Sequence, residues 1–314
     1  MLGMTYRVGA LCAGYGGIEL GLSQLVDTEL AWYSETTKDC VKVMDANFGV
    51  PNLGDLTKIT EPPEVDIVTA GFPCQPVSLA GKRKGVEDER WLIEDVCRVA
   101  SEGGAGYLIL ENVKGILAIN DGHAMGRVCS AMARYGFRRW EWDLIRASDV
   151  GAPHKRERWF CIATHTSRKG GSDRLPREIR QAIHGRSGEV SSSRSVGFLG
   201  DEVSADTVGF GCETSRTQHG LGETEESHIF SQFGPYELAV RRWAQIIGRP
   251  PPRGTINTGV NPPFVEWMMG LPAGWVSDKI TSTSGQLKMY GNGVVPQQAS
   301  AAIGMLAERL CDDS

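Results

Sequence analysis

The stretch Val65-Asp66-Ile67-Val68-Thr69-Ala70-Gly71-Phe72-Pro73-Cys74-Gln75-Pro76 decides how the chain is read. Its first six residues form an apolar run with the length and β-branched content of a buried strand. Gly71 ends the run, and the prolines on either side of Cys74-Gln75 prevent a regular helix from continuing there. A cysteine on a stiff loop at the carboxyl end of a buried strand stands where open α/β sheets bind their ligands. Taken alone, a free cysteine is more often a small buried hydrophobe. The reading therefore turns on what the neighbouring strands carry at the same edge.

Toward the amino terminus, Tyr6 to Ala13 reads as a first strand that breaks at Gly14-Tyr15-Gly16-Gly17 and gives way to a helical pattern through Ile18, Leu20, Leu22 and Leu25. Strand, glycine turn and helix form the nucleotide-binding arrangement, in which glycines let the backbone approach a ligand closely. Leu30 to Ser34 reads as the second strand. Glu35 ends it about 20 residues past the glycine turn, where a carboxylate bonds ribose hydroxyls. A helix over Lys38 to Phe48 follows, and Asn52-Leu53-Gly54-Asp55-Leu56 sets another acid ahead of the strand that leads to Cys74.

Toward the carboxyl terminus, Gly81-Lys82-Arg83-Lys84-Gly85 reads as a basic loop and Asp88 to Ser101 as a helix. Tyr107-Leu108-Ile109-Leu110 is a fully apolar strand, with Glu111-Asn112-Val113 just past its end. If these strands are parallel, Gly14–Gly17, Glu35, Cys74 and Glu111 share one edge of the sheet. Four separate accidents of packing would be needed to explain that. Asp121 to Tyr135 reads as a helix and Phe137 to Ala147 as a strand. An extended chain from Lys155 would project His154, Arg156 and Arg158 from one face, and paired arginines suit an anion or a carbonyl oxygen. From Ser167 to about Ser231 periodicity fails, so that region reads as loop-rich, with no regular element expected. Helices are predicted over Tyr236 to Ile247, Phe264 to Met269 and Gln297 to Leu310.

At 314 residues the chain exceeds the size at which one core usually keeps growing, roughly 250–300 residues, so a large domain with a smaller one is expected. No apolar run approaches a membrane span of about 20 residues, and no signal segment is expected, which makes a cytoplasmic protein the default. The eight cysteines include no Cys-x-x-Cys pair, and no histidine has ligand spacing beside them. Reduced thiols are therefore expected, without structural zinc or any other metal. The net charge of −5 conceals an asymmetry, with ten Lys/Arg against four Asp/Glu over residues 150–200 and eight acids against one arginine over residues 201–237. Local patches, not the sum, set the field a polyanion meets.

With these motifs in order, the chain resembles the C5-cytosine DNA methyltransferases of the bacterial and phage type over most of its length. Ala13-Gly14-Tyr15-Gly16-Gly17 resembles the family's first motif, which binds S-adenosylmethionine. Gly71-Phe72-Pro73-Cys74-Gln75 resembles the nucleophile motif, and Glu111-Asn112-Val113 the one that grips the target base. His154-Lys155-Arg156-Glu157-Arg158 resembles Gln-x-Arg-x-Arg, with histidine in place of glutamine. Glu266-Trp267-Met268-Met269-Gly270-Leu271-Pro272 resembles the motif that props the target-recognition region, without the usual arginine near its start. Gly291-Asn292-Gly293-Val294 resembles the last motif, where Gly293 replaces a serine or alanine.

The resemblance implies an α/β, Rossmann-like, mostly parallel sheet, the S-adenosylmethionine-dependent methyltransferase fold, with a smaller loop-rich target-recognition domain. The division implied is 1–165 catalytic, 166–275 target recognition and 276–314 returning to the catalytic domain. Catalytic roles fall to Cys74, Glu111, Asn112, Arg156 and Arg158. The cofactor pocket falls to Ala13, Gly14, Tyr15, Gly16, Gly17, Ile18, Glu35, Thr36, Asp55, Leu56, Gly71, Pro73, Asn292, Gly293 and Val294. DNA contacts fall to Gln75, Ser78, Lys82, Arg83, Arg241 and Arg253, and the basic loop around Lys82 closes over a flipped base. A monomer acting on double-stranded DNA is expected, with a cognate restriction endonuclease as a further partner. Methylation of transfer RNA, the work of one branch of the family, is the alternative.

Overall fold

Alternate side chains of the central strands go to opposite faces of one sheet, and both faces are covered. In the computed structural model, which describes residues 4–73, 92–166, 174–189, 229–256 and 259–312, six strands pair in the order β2-β1-β3-β4-β6-β5. They are β1 (Tyr6–Leu11), β2 (Thr28–Ser34), β3 (Ile67–Gly71), β4 (Tyr107–Val113), β5 (Phe137–Arg146) and β6 (Glu157–His165). β1, β2, β3 and β4 are mutually parallel, and β6 runs antiparallel to both β4 and β5. This is the mostly parallel α/β sheet that the sequence predicts. The carboxyl ends of β1 to β4 therefore share one edge with the amino end of β6.

The core follows from the two-residue strand period. Leu108 and Leu110 of β4 join Val68 and Ala70 of β3 and Cys161 and Ala163 of β6 under α3 (Leu92–Glu102) and α4 (His123–Arg134). Tyr107 and Ile109 join Ile67, Phe160 and Ile162 on the other face, under α1 (Gly17–Leu22) and the carboxyl-terminal helix Pro296–Asp312. α2 (Lys38–Asn47) lies beyond β2, with Met44 packed on Ala10 and Tyr33.

Two helices were not expected. Within the stretch read as lacking elements, α5 spans Arg174–Glu189 and packs Leu175, Ile179 and Ile183 on the second face of the sheet. Tyr107 Oη accepts from the Leu175 amide at 3.1 Å, and Tyr6 donates to Glu178 at 2.7 Å. The spacing 175, 179, 183 is one helical stripe, hidden by the polar composition around it. α6 (Glu237–Ile247) and α7 (Pro262–Met268) match their predicted places, but α8 (Thr283–Asn292) was missed, and α9 spans Pro296–Asp312. α1 is only six residues long and stops before Leu25.

A third apolar cluster joins Trp243 of α6, Trp267 of α7 and Tyr290 of α8 to Tyr15, Val43 and Ala147. Trp243 donates to the Trp267 carbonyl at 2.9 Å, and Trp267 donates to that of Arg249 at 3.1 Å. These bonds tie α6 to α7, and Trp275 Nε1, donating to the Tyr15 carbonyl at 2.8 Å, fastens this cluster to the edge that carries the glycine turn. The two-residue strands Thr255–Ile256 and Gly259–Val260 pair at its periphery.

Candidate active site

The edge formed by the ends of β1 and β2 is a stitched hollow. Gly14 and Gly54 both adopt left-handed φ, 60° and 73°, and a side chain at either would meet no atom within 4 Å. The Glu35 carboxylate accepts from the amides of Gly14 at 3.1 Å, Thr36 at 2.8 Å and Thr37 at 2.8 Å. Three donors fix its orientation and leave capacity on Oε2 for one further donor. Asn52, which the sequence reading passed over, ties Glu35 to Gly54: its Oδ1 accepts from both amides and its Nδ2 donates to the Glu35 carbonyl. Open glycines beside an oriented carboxylate fit a ligand with a ribose hydroxyl.

Other predicted pocket residues make contacts within the protein. Asp55 accepts from the amide and hydroxyl of Thr57 and faces Lys58 at 3.4 Å, which holds its pKa low and caps the turn 56–58. Ile18 and Leu56 are buried in the core, and a Cβ at Gly16 or Gly17 would stand 2.6 Å from the Phe48 ring or 2.4 Å from the Val294 carbonyl. Tyr15 turns its ring inward and donates to the Val294 carbonyl at 2.8 Å. At the carboxyl-terminal side of the hollow, Asn292 is exposed. Ala13 and Thr36 line the opening, Ala13 half-buried and Thr36 exposed.

Beside this hollow lies the chemistry-bearing pair. Glu111 lies within β4, in register with Gly71, instead of past the strand end. It is 6% exposed, and its Oε1 meets Arg158 Nε at 3.0 Å. Burial pushes its carboxyl up to about 7, although Arg158 and Arg156 oppose the shift. An ion pair that leaves a carboxyl so close to neutrality is set for proton transfer. Gly71 gives it room: a Cβ there would stand 3.4 Å from Glu111 Oε2.

Asn112 is buried. Its Nδ2 donates to the Phe72 carbonyl at 2.9 Å, and its Oδ1 accepts from Val113. It thereby fixes the backbone two residues before Cys74. β6 begins only at Glu157, so His154 and Arg156 precede it, and His154, Arg156 and Arg158 each take a different partner. His154 Nε2 bonds the Met268 carbonyl at 3.1 Å at the end of α7. Arg156 donates to the carbonyls of Gly291, at 2.7 Å, and Gly293, so it holds the chain's own carbonyl oxygens. Arg158 alone reaches Glu111.

Phe72 is buried and Pro73 exposed at the end of the described stretch. Cys74, Gln75, Ser78, Lys82 and Arg83 lie outside the described residues. Burial raises the thiol pKa of Cys12 and Cys40, each to about 12, and those of Cys97, Cys129 and Cys161 as well, so none of these five is set up as a thiolate. Arg253 is exposed, whereas Arg241 pairs with Glu237 at 2.8 Å and lies 4.2 Å over the Phe230 ring. Among the described residues no His/Cys/Asp/Glu group has the geometry of a metal site, and no helix is long and apolar enough to cross a membrane.

The chain is 36% identical over 158 residues to the Type II methyltransferase M.BsuFI of Bacillus subtilis, covering 49% of this chain and 38% of that one. It is 36% identical over 155 residues to M.HhaI of Haemophilus parahaemolyticus, covering 48% and 47%. It thus spans less than half the length of these relatives. Among solved structures, Schizosaccharomyces pombe Dnmt2 methyltransferase superposes with a TM-score of 0.55 at 16% identity, over 97% of this chain and 99% of that one. A candidate DNA modification methyltransferase encoded within an E. coli prophage gives 0.57 at 15%, over 98% and 99%. Residues 6–201 match the family model for C-5 cytosine-specific DNA methylases, from the first strand past the Glu111–Arg158 pair, and the chain belongs to that family.

Proposed function

We propose that this protein methylates C5 of a cytosine rotated out of a specific double-stranded DNA sequence, with Cys74 as the nucleophile. The observation that carries the reading is Glu111, a buried carboxyl with its pKa near 7 in register with Gly71, three residues before Cys74.

Cytosine C5 is a weak nucleophile, so electrons must first be pushed into the ring. The Cys74 thiolate adds to C6, forming an S–C6 bond and moving the C5–C6 π electrons toward C5 and N3. Neutral Glu111 donates its proton to N3, which prevents charge from building on the ring. Arg158 then stabilises the carboxylate it already touches. S-adenosylmethionine, when bound, supplies an electrophilic methyl group, and Glu35, Gly14 and Asn292 are the residues that would hold it. Loss of the C5 proton to a base re-forms the double bond, expels Cys74 as thiolate and returns the N3 proton to Glu111.

The target base must leave the duplex, at a cost of a few kcal/mol. Phosphate contacts offset that cost. Exposed Arg253 supports a DNA-facing role for residues 229–275, and Arg241 would have to leave Glu237 to take part. Target recognition is assigned to 166–275, in which α5 serves the sheet. The Type II names of the relatives support a cognate restriction endonuclease as a partner.

The test is covalent capture. DNA with 5-fluorocytosine in the target site should form a denaturant-stable adduct with the wild-type protein and none with Cys74→Ser. An adduct that survives the substitution removes Cys74 from the reaction. Labelled-methyl transfer to matched DNA and RNA pools decides between the nucleic acids.

A further inference from the structure

We propose that Tyr15 and Gly293 act as one positioning unit, matched in size, that sets the distance between the glycine turn and the carboxyl-terminal wall of the cofactor hollow. The inference rests on the proposed function only for the identity of the ligand.

Gly293 has φ −81° and ψ −173°, extended backbone that any residue adopts, so the chain path does not require glycine there. The space does. A Cβ at Gly293 would lie 1.8 Å from Tyr15 Cε1 and 2.1 Å from Cζ, and these are ring atoms that cannot bend away.

Neither partner can retreat. The Tyr15 ring is 1% exposed, and its hydroxyl donates to Val294 at 2.8 Å. The Tyr15 carbonyl accepts from Trp275 Nε1 at 2.8 Å. On the ring's other edge lies Gly17, where a Cβ would stand 2.9 Å from Tyr15 Cε2 and 2.4 Å from the Val294 carbonyl. The facing segment is held just as firmly, because Arg156 donates to the carbonyls of Gly291 and Gly293 and the Gly293 amide bonds Met289 at 2.9 Å. Bulk added at 293 must therefore drive the turn and the segment apart, separating Gly14 and Glu35 from Asn292. Shortening the ring makes room for that bulk, so each residue's tolerance depends on the other.

The experiment is a double-mutant cycle on the full chain, read by calorimetric titration with S-adenosylmethionine and by Tm without ligand. Gly293→Ser should weaken cofactor binding by about tenfold. Adding Tyr15→Leu should recover most of that loss, so that the pair is non-additive. Adding Tyr15→Phe, which keeps the ring and drops the hydroxyl, should recover none. Wild-type affinity in Gly293→Ser, or a double variant equal to the sum of its singles, overturns the proposal. A Tm cycle that couples while affinity stays unchanged reduces the pair to ordinary packing and overturns it too. If Gly293→Ser does not fold, Tyr15→Leu/Gly293→Ser must fold and bind, and its failure counts against the pair. If the wild type itself binds no S-adenosylmethionine, the functional reading falls and the pair's cofactor role falls with it, whereas a wild type that binds leaves the cycle to decide the pair.

Discussion

Two buried carboxylates a strand and a helix apart, Glu111 and Glu266, show how one residue type serves opposite ends. Glu266, 1% exposed in α7, accepts from the amides of Gly274, Val276 and Ser277 at 2.8–2.9 Å and from the hydroxyls of Ser277 and Tyr290. Every lone-pair direction is occupied, so it works as a fixed knot for residues 274–277. Glu111 has the same burial but one close charged partner, and its carboxyl is lifted toward neutral pH. Saturation by donors makes a buried carboxylate structural, and undersupply leaves it free for chemistry.

Breaking the contrast at its reactive end should have the largest effect. Glu111→Gln should lower kcat by about 10²–10⁴-fold, the usual range for a lost general acid, with little loss of DNA binding. Single-turnover methylation and gel-shift titration measure the two. Unchanged turnover would remove its proton-donor role.

At the structural end the balance should invert. Glu266→Ala orphans buried donors and should destabilise the fold by about 3 kcal/mol, read by thermal denaturation. The rate per folded molecule should change little.

A subtler separation lies in pH. A carboxyl raised in the folded state contributes stability that is complete below its ordinary value of 4.5 and lost as pH rises to about 7. The wild type should therefore lose Tm relative to Glu111→Gln across that interval. Parallel curves would mean that Glu111 is not raised.

The smallest effect belongs to His154, which ties the segment ahead of β6 to the end of α7. Glutamine can donate to the Met268 carbonyl and leucine cannot, so His154→Leu should cost about 1 kcal/mol and His154→Gln less. Equal losses would mean that packing alone matters there.

The centre of the sheet was legible because β3 and β4 are apolar runs ended by glycine or an acid, a signal that survives without tertiary information. Gly14, Glu35 and Glu111 were legible for the same reason, since parallel strands bring their ends together. α5 was not, because three apolar residues in a polar stretch only declare a helix once Tyr107 and Ile179 are seen to touch one core. The partners of Asn112 and Arg156 were not legible, for a different reason. A motif fixes residue type but not which partner a polar side chain takes, and both donate to backbone carbonyls far away in sequence. Asn52 left no mark at all, because a lone asparagine before Gly54 reads as an ordinary turn.

The reversed strand has a consequence of its own. Since β6 is hung upside down between β4 and β5, it delivers its cation where it starts, so the reach of Arg158 is governed by the hairpin leading in rather than by a crossover behind it. Lengthening that hairpin by one residue should be absorbed outside the ladder. One residue inserted between Arg158 and Trp159 would flip the guanidinium to the α3 side and leave Glu111 alone in the dark.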